Sequence, residues 1–131
     1  MSDVPAELRY SNDHFWARVE ATGWVRVGVT DFAQDALGEV VDVTLPGPGT
    51  AVEAGAACGE IESVKTLSEL IAPITGTVRT RNDALTTAPG LVNTDPYGQG
   101  WMFDVEAEPS KLNQQFESLM DAAAYRQLTG A

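Results

Sequence analysis

The chain has 131 residues, of which 44% are hydrophobic and 21% are charged, a composition typical of one globular domain with a single core. Its 19 acidic and 8 basic residues give a formal net charge of -11, which disfavours binding to nucleic acid or to an anionic membrane surface. We therefore expect a single domain over residues 1–131. The charge favours a partner with a basic docking face, although an acidic balance is also a common means of staying in solution.

The cysteine content and the lack of long apolar runs set expectations for the compartment. Cys58 has no second cysteine with which to form an internal disulfide, and the one histidine leaves no zinc-type cluster. No run approaches the roughly 20 apolar residues of a membrane span, and the first residues lack the pattern of a signal or transit peptide. We expect a monomeric bacterial protein of the cytoplasm, with no metal and no membrane partner.

The first part of the chain predicts a hairpin followed by a third strand. Apolar residues alternate over residues 15–19 and again over residues 25–29, around a turn-like segment at residues 21–23. A third alternating run covers residues 38–45 and ends at the PGPG segment of residues 46–49, because proline removes backbone donors from a strand.

Helical spacing predicts a short helix over residues 31–37 and one or two helices at the end of the chain. In the first helix, Asp31 and Gln34 are spaced as a capping box. Ser110 and Asp121 are the expected N-caps of the last helices, whose apolar residues form a helical stripe.

The remaining segments predict a mainly β protein. Residues 50–80 contain several short strands separated by glycine and proline, residues 82–100 are rich in turn signals, and residues 101–105 return as a strand. With the helical tail at about residues 110–129, this pattern is typical of a small β-sandwich or barrel with helices outside it.

Conventional catalytic groups are poorly represented. His14 and Cys58 are far apart in the sequence, so a nucleophile pair would need a coincidence of folding. Cys58 lies among small residues and is expected to be a packed thiol, and His14 is expected to lie on the surface or to form a hydrogen bond. The one glycine cluster, residues 47–49, contains a proline and does not suit a phosphate loop.

The segment GEIESVKTLSE, residues 59–69, places one of only two lysines in an acidic turn. A lysine in a turn is ordinarily just solvated, and the residues alone leave that interpretation open. All positive charge except two lysines is arginine, and Glu60, Glu62 and Glu69 flank Lys65 without an evident helix to pair them. An exposed amine on a rigid turn is also well placed for covalent attachment of a mobile group.

GEIESVKTLSELIAPITGTV resembles the lipoyl attachment motif of the glycine cleavage system H protein family, in which Glu-Ser-Val-Lys presents the modified lysine. VGVTDFAQDALGEVVDVTLPGPGT and LVNTDPYGQGWMFDV resemble two further blocks of the family, and MDAAAYRQL resembles its C-terminal helix. The resemblance covers roughly Leu8 to Leu128. Biotin carriers present their lysine in Met-Lys-Met and the lipoyl domains of 2-oxo acid dehydrogenases in Asp-Lys-Ala, and both fit the residues around Lys65 less well.

The resemblance implies a barrel-sandwich hybrid fold of the lipoyl and biotinyl carrier type, and a carrier rather than an enzyme. Lipoate would be joined to Lys65 as an amide, and the cofactor would supply the reactive chemistry. Glu62, Ser63, Val64 and Glu69 would be recognised by the lipoylating enzyme and by partner proteins.

The family's cycle implies the partners. A pyridoxal-phosphate glycine decarboxylase loads an aminomethyl group onto the lipoyl arm, a tetrahydrofolate-dependent aminomethyltransferase removes it, and dihydrolipoamide dehydrogenase reoxidises the arm. The acidic surface thereby gains a second interpretation, as a docking face for these enzymes. The alternative is an H-like lipoyl donor or regulatory interaction protein without a glycine decarboxylase partner.

The resemblance also implies a cleft that shelters the loaded arm from water, lined by His14, Phe15, Phe32 and Glu69. Phe15 stands where the family usually has Glu, and Phe32 where Tyr or His is frequent. Two polar contacts are therefore missing, which predicts a weaker hold on the aminomethyl amine. Alternatively, a neighbouring carboxylate such as Asp13 substitutes for the missing one.

Overall fold

The computed structural model describes residues 3–130, which form nine strands and five helices. The strands are β1 (Arg9–Tyr10), β2 (Phe15–Val19), β3 (Val25–Val29), β4 (Val40–Thr44), β5 (Ala51–Val52), β6 (Ala57–Ser63), β7 (Leu67–Ile71), β8 (Gly76–Arg81) and β9 (Phe103–Glu106). The helices are α1 (Asp31–Leu37), α2 (Ala84–Thr87), α3 (Leu91–Thr94), α4 (Pro109–Ser118) and α5 (Ala122–Thr129).

The strands form two antiparallel sheets. The larger sheet has the order β1-β2-β3-β9-β8-β5 and the smaller one the order β4-β6-β7. Apolar side chains from both sheets form one buried cluster, which includes Val27 and Val105 from the larger sheet and Ile61 and Leu70 from the smaller one. The predicted mainly β fold with a short helix and C-terminal helices is therefore confirmed.

Helix α1 occupies Asp31–Leu37, as predicted, but its N-cap lies one residue before the Asp31 that the capping box implied. Thr30 is the N-cap: its backbone is extended, and its Oγ1 accepts a hydrogen bond from Ala33 N at 3.1 Å. Asp31 is already helical, and its Oδ1 accepts from Gln34 Nε2 at 2.7 Å. Asp31 is therefore the first helical residue and not the N-cap that the capping box implied, because the threonine before it supplies the side-chain oxygen that caps the helix.

The C-terminal helices lie where the tail was predicted, with one difference in capping. Asp121 caps α5 as expected and accepts from Ala124 N at 2.9 Å. Ser110 does not cap α4. The helix starts after Glu108, with Pro109 at its first position. An N–H at that position has no acceptor within the helix, so proline, which lacks an N–H, is tolerated there.

Several shorter elements differ from the sequence prediction. Strand β1 was not predicted, and the turn-rich segment of residues 82–100 contains the two helical turns α2 and α3. The predicted strand over residues 101–105 begins later, at Phe103. Two-residue strands and single helical turns carry too few residues for periodicity to reveal them.

A second apolar cluster fixes α5 against β1 and β2. It includes Tyr10, Trp16 and Tyr125, each fully buried, and the rings of Tyr10 and Tyr125 stack with centroids 4.6 Å apart. This packing places Tyr125 behind the start of β2. None of the helices within residues 3–130 is long and apolar enough to cross a membrane.

Candidate functional site

Lys65 lies at the exposed turn between β6 and β7, and Ser63 closes that turn. The Ser63 side chain accepts hydrogen bonds from the backbone N–H groups of Lys65 at 3.2 Å and Thr66 at 3.1 Å. Ser63 N also donates to Thr66 O at 2.8 Å. Ser63 is only 6% exposed, so its side chain lies inside the turn. Val64 and Lys65 face the solvent.

The corner between α1 and β4 braces the turn from one side. Val64 N donates to Glu39 O at 3.0 Å. Asn93 on α3 fixes that corner, since its side chain accepts from Val40 N at 2.9 Å and donates to Gly38 O at 2.7 Å. The turn that carries Lys65 is therefore held by a backbone hydrogen bond to a neighbouring element as well as by its own hydrogen bonds.

The Lys65 side chain is exposed and passes beside Gly38. A Cβ placed on Gly38 would lie 2.9 Å from Lys65 Cε. Despite the nearby glutamates, the Lys65 amine has no hydrogen bond or ion pair to any residue within 3–130. An amine so placed is accessible to an enzyme that acylates lysine.

A cleft of about 430 Å³ opens beside this turn. The structure brings together in it the four residues expected there, His14, Phe15, Phe32 and Glu69, with Thr66 connecting the cleft to Lys65. The remaining lining is mostly apolar and comes from Val29, Ala33, Ala36, Leu37, Ile61 and Ile71, with Asn12, Asp13 and Ser68 as polar members.

The walls of the cleft differ in polarity. Phe15 is 4% exposed and belongs to the main core, so it offers only hydrocarbon to the cleft. Asp13 and Glu69 are exposed and contribute the two carboxylates of the lining. A cationic group in the cleft would find its opposite charge at these two residues.

His14 lies between the cleft and α5. Its Nδ1 is 2.8 Å from the hydroxyl of Tyr125, and its ring centroid is 4.9 Å from that of Phe32. Burial lowers the pKa of His14, and the Asp13 carboxylate opposes this shift in part. The imidazole is therefore biased towards its neutral form near neutral pH.

The outer face of the smaller sheet carries carboxylates opposite carboxylates. Asp42 on β4 pairs in register with Glu62 on β6, and Glu60 on β6 pairs with Glu69 on β7. All four are exposed, and none forms an ion pair with another residue of the described segment. The surface next to Lys65 is thus an uncompensated acidic surface that suits a basic partner.

Other candidate residues stay outside the site. Cys58 is half-buried against the core, and burial raises its pKa to about 11, so the thiol stays protonated and unreactive at neutral pH.

Thr30, Asn93 and Tyr125 hold parts of the site but were not predicted. Asn93 and Tyr125 stand in the family-like blocks LVNTDPYG and MDAAAYRQL, yet sequence alone does not reveal which residues they contact.

Comparison with known proteins gives a consistent result. The family model of the glycine cleavage H-protein matches residues 8–130. The glycine cleavage system H protein of Mycobacterium bovis (strain BCG / Pasteur 1173P2) is 50% identical over 129 residues, covering 96% of each chain, and that of Mycobacterium avium (strain 104) is 49% identical over 127 residues with the same coverage. The crystal structure of a glycine cleavage system H protein from Mycobacterium marinum superposes with a TM-score of 0.87 at 40% identity, over 98% of this chain and 100% of that one. The chain belongs to the glycine cleavage H-protein family.

Proposed function

We propose that this protein is the lipoyl carrier of a glycine cleavage system and that lipoate is joined as an amide to Nζ of Lys65. The observation that carries the proposal is the exposed, unpaired amine of Lys65, on a turn held by hydrogen bonds beside an apolar cleft. The protein is a carrier subunit and not itself an enzyme.

The residues present suit a lipoyl arm. Lys65 provides the amine for the amide bond, and its alkyl chain adds to the reach of the arm. The apolar part of the cleft, which includes Leu37 and Ile61, suits a hydrocarbon chain, and Thr66 joins it to the attachment turn. When attached, the lipoyl group supplies a disulfide that accepts the aminomethyl group of glycine and is left reduced.

The residues of the chain position Lys65 for its partners and protect an arm that lies in the cleft. Ser63 and Asn93 keep the turn in one conformation, so that every partner meets Lys65 in the same place. Phe15 and the other apolar walls would shield an arm lying in the cleft from water. Glu69 and Asp13 provide carboxylates for a cationic amine, which would stabilise a loaded arm lying in the cleft.

The acidic face suits a succession of partners. We infer that Glu62, Val64 and Glu69 contact the lipoylating enzyme, glycine decarboxylase, aminomethyltransferase and dihydrolipoamide dehydrogenase, because these side chains are exposed around Lys65. Ser63 supports this recognition by shaping the turn. We further propose that the chain works as a single carrier domain and a monomer in the bacterial cytoplasm.

Intact mass measurement tests the attachment. The protein should be produced in a host that lipoylates proteins, beside Lys65→Arg and, as a matched control, Lys111→Arg, which changes the only other lysine. We expect one lipoyl-sized increment in the wild type and in Lys111→Arg, and none in Lys65→Arg.

Two outcomes would contradict the proposal. An increment that persists in Lys65→Arg would move the attachment to another residue. The absence of any increment, even with a lipoylating enzyme and lipoate supplied, would mean that Lys65 is an ordinary solvated lysine.

A further inference from the structure

Three side chains connect the start of α1 to the cleft through hydrogen bonds. Thr30 Oγ1 accepts from Ala33 N at 3.1 Å and is 2.7 Å from the hydroxyl of Tyr125. The same hydroxyl is 2.8 Å from Nδ1 of His14, which lines the cleft. The C-terminal helix α5, which carries Tyr125, thereby contacts the wall of the cleft.

The direction of these hydrogen bonds follows from the number of donors and acceptors. Thr30 is 0% exposed, and its oxygen already accepts the N–H of Ala33. The hydrogen of its hydroxyl then has one acceptor within residues 3–130, the oxygen of Tyr125. A buried hydroxyl that donates to nothing is unfavourable, so Thr30 donates to Tyr125.

The hydrogen bond between Tyr125 and His14 also has a defined direction. Tyr125 is also 0% exposed, and its oxygen receives the hydrogen of Thr30, so its own hydrogen goes to Nδ1 of His14. If Nδ1 also carried a proton, three hydrogens would share these two contacts, and the hydroxyl hydrogen of either Thr30 or Tyr125 would have no acceptor within residues 3–130. Nδ1 is therefore an acceptor, and in the neutral imidazole the proton is on Nε2.

The backbone conformation of His14 indicates a functional role for this residue. Its φ of 69° is the one positive φ among the non-glycine residues from 3 to 130. Thr30 N donates to His14 O at 3.1 Å, and His14 N donates to Ser11 O at 3.1 Å, so neighbouring residues hold this unfavourable conformation. Strained residues of this kind are concentrated at functional sites.

We propose that Tyr125 is a positioning residue of the cleft: together with Thr30 it holds His14 as a neutral imidazole that presents its Nε2–H to an acceptor atom of the lipoyl arm. The part that concerns the arm rests on the proposed attachment to Lys65. His14 Nε2 has no hydrogen-bond partner in the described part of the chain, so it is available to a ligand.

A neutral His14 favours the binding of a cationic amine in the cleft. The carboxylates of Asp13 and Glu69 line the same cleft, and a neutral His14 leaves their charge undiminished for a cationic amine. An imidazolium would offer the same Nε2–H but would repel that amine. The cleft thus offers a donor for the acceptor atoms of the arm and separate carboxylates for its amine.

Nitrogen NMR tests the tautomer directly, because His14 is the only histidine and gives a single imidazole signal set. The full chain should be labelled with ¹⁵N-histidine and recorded unlipoylated at a pH where the ring is neutral. Tyr125→Phe removes the hydroxyl and keeps the ring that stacks on Tyr10. Tyr10→Phe is the matched control, since it removes a buried hydroxyl that bonds Pro5 O and not His14.

We expect the wild type and Tyr10→Phe to show the Nε2–H tautomer, and Tyr125→Phe to show a mixture of both tautomers. A wild-type imidazole protonated on Nδ1, or the same tautomer in Tyr125→Phe as in the wild type, would overturn the assignment. Neither result depends on lipoylation, so a failure of the Lys65 attachment would be recognised separately.

The functional part is tested on lipoylated, aminomethyl-loaded protein. We expect Tyr125→Phe to lose the aminomethyl group several-fold faster than the wild type or Tyr10→Phe, with lipoylation of Lys65 unchanged. Equal rates of loss in the two tyrosine variants would overturn the positioning role and leave the carrier function intact.

Discussion

The aliphatic chain of Lys65 lies against the backbone of Gly38, so closely that a Cβ at position 38 would be 2.9 Å from Lys65 Cε. Gly38 also has φ 79° and ψ -160°, a conformation that is essentially confined to glycine. The backbone of the corner therefore requires glycine here, and a Cβ would in addition displace the end of the Lys65 side chain. The corner that ends α1 thus borders the path of the Lys65 side chain.

Gly38→Ala should destabilise the protein by roughly 1–3 kcal/mol through backbone strain and should also alter the rate at which Lys65 is lipoylated. Urea unfolding measures the first effect, and mass spectrometry over time measures the second. Gly49→Ala is the control, because Gly49 also has a positive φ but a Cβ there meets nothing within 4 Å. Equal lipoylation rates for both variants and the wild type would show that the contact with Gly38 has no influence on the arm.

Ser63→Ala should loosen the turn that carries Lys65. It removes the acceptor for the N–H groups of Lys65 and Thr66. Groups left without a partner lower the free energy of unfolding by about 1–3 kcal/mol, and by less where water replaces the serine oxygen. Amide hydrogen exchange at these two residues should become faster. Ser68→Ala, in the same hairpin, is the control, because the Ser68 side chain has no hydrogen bond to the residues between 3 and 130. Unchanged exchange in Ser63→Ala would mean that the backbone alone holds the turn.

The sequence predicted the parts of this protein that depend on local patterns and on family resemblance. The hairpin of β2 and β3, helix α1 and the Asp121 cap follow from spacing that acts over a few residues. The β-rich carrier fold and the carrier role followed from the resemblance, which the family match confirms, and nothing in the comparisons favours an H-like donor or regulator instead.

Long-range contacts could not be predicted in the same way. Thr30 and Tyr125 are 95 positions apart, and the hydrogen bond between them depends on α5 packing behind β2. The bonds from Asn93 to the α1–β4 corner span 53 and 55 positions. Periodicity reports which face of an element is buried but not which element covers it.

Phe15 gives a test of how the cleft holds a cationic amine. Phe15→Glu should slow the spontaneous loss of the aminomethyl group several-fold relative to Phe15→Gln, which has similar size and no charge. Both variants place a polar group at a site that is 4% exposed and should lower stability, so the rates must be compared at a temperature where both are folded. Equal rates for the two variants would show that a carboxylate at this position does not contact the arm.

Asp13 provides the competing explanation for the missing glutamate. It lies in the lining of the cleft and is exposed. If its carboxylate substitutes, Asp13→Asn should speed loss of the aminomethyl group several-fold in the wild-type background. If Asp13→Asn leaves the rate unchanged and Phe15→Glu slows it, Asp13 does not substitute for the missing glutamate. This chain would then hold the aminomethyl amine more weakly because Phe15 replaces that glutamate.

His14 should make stability depend on pH. Burial lowers its pKa from the ordinary 6.5, so between the folded value and 6.5 the unfolded chain binds more protons than the folded one. Stability contributed at this residue is therefore fully present above 6.5 and decreases as the pH falls through that window. His14→Asn, which tolerates a positive φ, should remove this part of the dependence in urea unfolding. An imidazole pKa at or above 6.5 in an NMR titration would contradict the sign.

Breaking the partly buried pair of Arg26 and Asp104 should cost more stability than breaking the exposed pair of Arg79 and Glu106. Asp104 has a side chain only 6% exposed and accepts two hydrogen bonds from Arg26, at 2.9 and 3.1 Å, and one from Thr80 at 2.8 Å. Asp104→Asn removes the nearer of the two carboxylates that pair with the Arg26 guanidinium and leaves Glu20 at 3.6 Å, and it should cost about 1–3 kcal/mol.

Glu106→Gln is the matched control in the same strand. Its pair with Arg79 joins side chains 44% and 45% exposed, where solvent screens the charges, so the loss should stay below about 1 kcal/mol. Urea unfolding of the two variants measures the difference. Since β9 joins β3 to β8 in the centre of the larger sheet, a larger loss in Asp104→Asn than in Glu106→Gln would mean that this pair stabilises the contact between these strands. Similar small losses in both variants would show that it contributes no more than an exposed pair.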